Sequence, residues 1–393
     1  MRRSVRLGRL AIVVGASFVL LAGAACNAIL GNEARTLDER DGSVFPAEGG
    51  ELDGATGEAS ACQADLTSDP RHCGACNHDC LAGACSAGTC QPFVLASGLP
   101  QPSTLKVLED VVYWVNGDGT VRSCPTKGCN LQPKIVMKVV TGNPVLSGLD
   151  VRDGTVFVAG YYAQQIYTCP VGGCATTTTL VSGLQYPVDV RSDGTSVYWI
   201  NADRASVDRC LLPTCAGGPK RIAGGVPAWS QLEVAGDTTY WLEDGPGNDY
   251  SRAILYRAPK TQTDGGAEVL LDELPFPGAF IVRDQTLYLT QGGPRNDGGA
   301  AAGLVRAVAL GEGLQPFTIA TKQFSPGGIA VDATHAYWFA LGDGSLRRCE
   351  LAGCNDSPTS IAEGLNRPFG PALTRDAIYW TEYLSGTVKG VAK

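Results

Sequence analysis

The sequence predicts an all-β fold: a seven-bladed β-propeller closed by an N-terminal outer strand and preceded by a small disulfide-rich module. Three observations carry this. First, an aromatic pair or its equivalent recurs at Tyr113-Trp114, Phe157-Val158, Tyr198-Trp199, Tyr240-Trp241, Tyr288-Leu289, Tyr337-Trp338 and Tyr379-Trp380, at intervals of 44, 41, 42, 48, 49 and 42 residues. Second, most of these units hold four short stretches of alternating polarity separated by Gly/Asp turns, as propeller blades do. Third, the last unit stops at TVKGVAK without a fourth strand, while Pro92-Phe93-Val94-Leu95-Ala96 near the front has the character of the missing one. Its insertion would leave no open edge between the first and last blades.

Taken in chain order, Arg2, Arg3, Arg6 and Arg9 precede an apolar run from Leu10 to Leu21 and the small residues Ala22-Gly23-Ala24-Ala25. Such a run is too short for a spanning helix of about 20 residues and reads as a signal peptide over 1–25. The segment Leu21-Ala22-Gly23-Ala24-Ala25-Cys26 resembles a bacterial lipoprotein lipobox, which implies lipidation of Cys26, a membrane partner and an outer-membrane or cell-surface location. Ordinary cleavage, giving a secreted or periplasmic protein, is the other reading. Parity separates them: of 15 cysteines, a lipidated Cys26 leaves an even set.

Residues 26–60 are acidic and Gly-rich with almost no aliphatic side chains after position 30, which predicts a disordered tether. Cys62, Cys73, Cys76, Cys80, Cys85 and Cys90 then crowd into the module 61–90. So short a segment cannot build a hydrophobic core, so cross-links must hold it. Cys73, Cys76, His78 and Cys80 could ligate zinc, but an exported chain favours three disulfides, and the sequence leaves their pairing open. The stretch from Asp69-Pro70-Arg71-His72-Cys73-Gly74-Ala75-Cys76 to Gly88-Thr89-Cys90 resembles the cysteine-rich tail of the Stig-type family, which implies a small extracellular module.

The propeller is expected over 91–393. Each unit opens on a Gly-x-x-x-Pro-like turn, as in SGLPQP, SGLQYP, GGVPAW and EGLNRP. An inner strand follows (LKVL, VDVR, LEVA, GIAV), then the aromatic strand, a third strand and an outer strand such as IVMKV, KRIA or TSIA. Ile378-Tyr379-Trp380-Thr381-Glu382 resembles the motif of YWTD-type extracellular propellers, with Glu382 in place of that family's Asp. The aromatic pairs are expected between blades as core. Cys124/Cys129, Cys169/Cys174, Cys210/Cys215 and Cys349/Cys354 each lie within one hairpin connection and are expected as local disulfides.

Function is far less specified. The net charge of −8 shows no clustered base for nucleic acid. The loops leading into the blades offer Gln101, Tyr186, Trp229, Phe276, Arg367 and Phe369 at the channel mouth. Of these, Trp229, Tyr186, Arg367 and Phe369 are the ligand-contact candidates. Two long turns, 242–253 and 290–303, each contain Gly-Pro-x-Asn-Asp. Asp244, Asn248, Asp249, Asn296 and Asp297 are oxygen donors suited to a structural calcium, and the same composition suits a flexible insertion. No other cofactor is expected.

No nucleophile elbow, zinc-protease motif or phosphate loop occurs. Streptogramin lyases resemble this architecture but rely on a histidine base, whereas His72 and His78 fall in the module and His335 just before a core strand. The resulting expectation is a non-enzymatic envelope lipoprotein binding a protein, peptide or glycan. A metal-dependent, lactonase-like hydrolase or lyase is the alternative.

Overall fold

The computed structural model describes residues 62–140, 145–203, 206–224, 231–243, 252–292, 303–311 and 313–393. The segment expected as a signal peptide, Cys26 and the segment expected as a tether lie outside them. Cys62–Lys393 form one compact unit. Seven four-stranded antiparallel sheets follow one another as blades spanning 105–138, 146–182, 187–224, 232–274, 277–323, 326–362 and 368–392. Every named element among the described residues is a strand.

The recurring aromatic dipeptide explains the ring. Neighbouring residues of a strand point to opposite faces of its sheet, so one pair serves two interfaces. Seven buried clusters result. Each joins the first residue of one pair to the second residue of the next: Tyr113 with Val158, Phe157 with Trp199, Tyr198 with Trp241, Tyr240 with Leu289, Tyr288 with Trp338, Tyr337 with Trp380, and Tyr379 with Trp114. The last of these closes the circle. Aromatic side chains bury roughly 150–250 Å² each. Burial on that scale is worth about 4–6 kcal/mol per ring before conformational entropy is subtracted.

Closure is also made through the backbone. Phe93–Ala96 pairs antiparallel with Thr387–Ala392 as the fourth strand of blade seven. Phe93 lies opposite Gly390, which lies opposite Tyr379, and the two rings meet edge-on at 6.1 Å. A Cβ on Gly390 would stand 2.7 Å from the Phe93 ring and 2.8 Å from that of Tyr379. Glycine is required there because two aromatic rings cover its α-carbon. Glu382, the departure from the YWTD pattern, is buried and accepts hydrogen bonds from Trp380 Nε1 and Ser385 Oγ at 3.3 and 2.8 Å. Its charge is balanced by Lys389 at 2.9 Å.

Two blades carry an aspartate bracket on the turn before the aromatic strand. Asp193 accepts from the Thr195 and Ser196 amides and the Tyr198 hydroxyl, and it pairs with Lys260 of the next blade at 3.0 Å. Asp332 repeats this with Thr334, His335 and Tyr337, and with Lys393 of blade seven at 2.9 Å. Burial raises both carboxyls, but these hydrogen bonds outweigh it and hold them well below the usual carboxylate range. Burial and the Asp193 hydrogen bond push the Tyr198 hydroxyl up to about 12.

All fourteen described cysteines are paired. The module holds Cys62–Cys76, Cys73–Cys85 and Cys80–Cys90, so the sulfurs of Cys73, Cys76 and Cys80 are engaged in disulfides. Its fourth zinc candidate, His78, is a strut. The two ring nitrogens face the Cys73 and Lys393 carbonyl oxygens at 2.5 and 2.8 Å, and Cys73, Cys80 and Cys90 pack on Ala392. The four expected hairpin clips, Cys124–Cys129, Cys169–Cys174, Cys210–Cys215 and Cys349–Cys354, are present.

Candidate functional site

The inner strands enclose a central cavity of about 860 Å³, within the range of small-ligand sites. Strand register defines its middle layer. The residue opposite the first aromatic of each pair is Lys106, Asp150, Arg191, Glu233, Ile281, Ala330 and Ala372, for blades one to seven in order. Four consecutive blades thus supply charges of alternating sign, and the next three supply only apolar groups. Six of the seven line the cavity. The remaining one, Asp150, turns Oδ2 to the Ser192 amide at 2.7 Å.

The charged arc is tightly wired. Arg191 Nη1 donates to Asp189 Oδ1 at 2.6 Å, and its Nε lies 3.6 Å from Glu233 Oε2. The other oxygen of Asp189 accepts from the Leu232 amide of the next blade at 2.9 Å. Burial works against the Arg191 charge, but Asp189, Glu233 and Asp150 overcome it and hold the guanidinium firmly protonated. Burial pushes the Glu233 carboxyl up, against the pull of Arg191 and Lys106. Outside this arc, at the end of the inner strand of blade five, Arg283 donates to the Val331 carbonyl at 2.9 Å and pairs with Asp284. Lys106, by contrast, forms no ion pair among the described residues, and its charge reaches Glu233 only at a distance.

Across from it, Phe276, Pro326, Ile329, Leu341, Phe369 and Pro371 continue the apolar arc towards one mouth. Glycines let the inner strands approach there. A Cβ on Gly278 would collide with the Pro326 carbonyl oxygen.

The loops leading into the blades share a strained device. Gln101, Tyr186, Phe276, Ser325 and Arg367 each precede a proline, and each has φ between 45° and 53°. Non-glycine residues held in this region cost about 1–3 kcal/mol each and persist where the surroundings fix them. Here the fixing bond is visible. The carbonyls of Tyr186, Phe276, Ser325 and Arg367 accept the amides of Ala202, Gly292, Leu341 and Tyr383, at 3.1, 2.7, 3.1 and 3.2 Å. Each leading loop is thereby tied to the turn between the second and third strands of its own blade, and its side chain is set at the mouth.

Of the four contact candidates, Arg367 and Phe369 are brought together. Arg367 lies over the Tyr383 ring at 4.8 Å and the Phe369 ring at 5.9 Å, and both line the cavity. Tyr186 stands on the rim instead, packed on Tyr161 at 5.1 Å with Tyr162 alongside. Trp229 and the calcium candidates Asp244, Asn248, Asp249, Asn296 and Asp297 lie outside the described residues. The rim is openly apolar: Tyr162, Phe324, Leu341 and Leu384 are 53%, 39%, 47% and 63% exposed. The charged arc was not anticipated from the sequence, although its members stand in plain view in LKVL, LDVR, VDVR and LEVA. The usable signal was register, counted from the aromatic strand.

No protein-family model matches the chain. Among solved structures it is similar to virginiamycin B lyase from Staphylococcus aureus, at 13% identity over 77% of this chain and 98% of that one, with a TM-score of 0.59. A catalytically inactive form of that lyase with quinupristin matches at 12% identity, 77% and 99% coverage and 0.59. YCF48 bound to D1 peptide matches at 9% identity, 77% and 94% coverage and 0.56. Likeness at this level establishes the propeller fold alone. It does correct one expectation. Missing catalytic motifs pointed to a non-enzymatic chain, yet the same architecture serves a lyase, so missing motifs do not exclude catalysis.

Proposed function

We propose that this chain is a cell-envelope lipoprotein, anchored through Cys26, whose propeller binds peptide segments at the channel mouth. The observation that carries the reading is the division of the channel wall into a charged arc and an apolar arc beneath an aromatic rim. The side chains of Ile281, Ala330, Pro371 and Ala372 offer no hydrogen bonds to the many hydroxyls of a glycan. A peptide presents apolar side chains and backbone polar groups together, and exposed Tyr, Phe and Arg are the side chains favoured at protein interfaces. That YCF48 of similar fold is seen with a peptide is consistent with this use of the scaffold. The anchor is supported by parity, since the seven disulfides use fourteen of the 15 cysteines.

The test is a synthetic peptide library screened against the purified protein, with bound peptides recovered and weighed to detect turnover. Arg367→Ala with Phe369→Ala should weaken the selected peptides about tenfold or more. Absence of peptide binding, or binding indifferent to both substitutions, would overturn the reading. For the anchor, Cys26→Ser should abolish acyl labelling, and persisting label refutes it.

A further inference from the structure

Resting on that reading of the mouth, we propose that the channel takes a peptide by its free C-terminal carboxylate. Lys106 is the charge partner, and the wall of blades five to seven seats the last apolar side chains. Of the four cations lining the cavity, three are already engaged. Arg191 is held by Asp189 and Glu233, and Arg283 by the Val331 carbonyl and Asp284. Arg367 is laid on the Tyr383 ring. Lys106 alone among the cations lining the cavity has neither an ion pair nor a side-chain hydrogen bond nor a ring contact among the described residues.

Position then selects the ligand. Blades one and seven are neighbours in the ring, so Lys106 sits at the seam between the charged arc and the apolar arc, beside Ala372. A ligand whose negative charge ends an apolar chain satisfies both sides of that seam at once. The opposite end of a peptide is disfavoured. An ammonium group would need Asp150, Asp189 or Glu233. Asp150 is turned away to the Ser192 amide, and Asp189 is held by Arg191 and the Leu232 amide. Glu233 stands 3.6 Å from the Arg191 guanidinium, whose charge with that of Lys106 repels a second cation. Asp150 and Glu233 also repel a second negative charge, so a single carboxylate is preferred to an acidic peptide end. A charge-assisted hydrogen bond in a partly buried site is among the stronger polar contacts a channel can make.

The experiment titrates the full chain by calorimetry with a hexapeptide ending Leu-Val-Phe-Leu, as the free acid and as the C-terminal amide. The acid should bind at least about tenfold tighter than the amide. Lys106→Met should bring the acid to within about twofold of the amide, and Lys106→Arg should restore the preference. Equal binding of acid and amide to the wild type overturns this inference while leaving peptide binding at the mouth intact. Failure of both peptides, together with a library screen that yields no binder, overturns the underlying reading instead. Decanoate is the third arm. Binding as tight as the peptide acid would mean that a free apolar acid is the ligand, and the assignment to a peptide end would fall.

Discussion

The seven interfaces between blades repeat one arrangement, whereas the seven inner strands around the channel do not. At every interface the first residue of one aromatic pair meets the second residue of the next pair, even where Phe157-Val158 or Tyr288-Leu289 replaces Tyr-Trp. In the channel the matching layer runs through four charges and then three apolar groups. Repetition marks the surfaces that must fit a neighbour of the same kind. Broken symmetry marks the surface released from that demand and able to fit something else. The contrast places stability in the interfaces and leaves the wall as the surface on which the proposed binding rests.

The strongest way to break this comparison is at an interface. Trp380→Ala empties a fully buried site between blades six and seven and should cost about 3–5 kcal/mol in denaturant unfolding. A loss below about 1 kcal/mol would mean that the interfaces do not carry the ring.

The interfaces were legible in the sequence because they obey a period, and a period survives without any knowledge of the fold. Tyr113-Trp114 and its repeats, the terminal strand at Phe93 and the four cysteine clips could all be read for that reason. The channel was not legible in the same way. Lys106 and Glu233 lie 127 positions apart in the chain and share a layer only once the ring has closed. His78 reads in the sequence as a zinc candidate, because the Lys393 carbonyl beside its ring lies 315 positions away in the chain. The mouth loops were picked out as such, but not the positive φ shared by five residues that each precede a proline, since that position ordinarily favours extended backbone.

Smaller effects sharpen the comparison. Asp332→Ala leaves the Tyr337 hydroxyl and the Lys393 ammonium without their acceptor and should cost about 2 kcal/mol near neutrality. The sign with pH follows from the lowered carboxyls of Asp193 and Asp332. Their contribution is fully present above the unfolded value of about 4 and is lost as pH falls below it. Wild-type stability should therefore drop on acidification, and Asp332→Ala should drop less steeply over the same range. A parallel slope in the two proteins would contradict the bracket. Replacing Cys169 and Cys174 together by alanine opens a short loop and should cost about 2 kcal/mol or less, read as a thermal shift. His78→Ala should remove about 1 kcal/mol, showing how far the module braces the C-terminal strand.

The smallest stability effect is expected in the channel. Lys106→Met removes a half-buried cation that has no ion pair among the described residues, so unfolding should stay within about 0.5 kcal/mol of wild type. That makes it the most direct test of the division between a structural periphery and a wall proposed to bind. The measurement is the denaturant midpoint of Lys106→Met, taken beside its titration with the free-acid peptide. An unchanged midpoint with the preference for the acid lost is the predicted result. A midpoint displaced as far as that of Trp380→Ala, or a preference that survives the substitution, would contradict it.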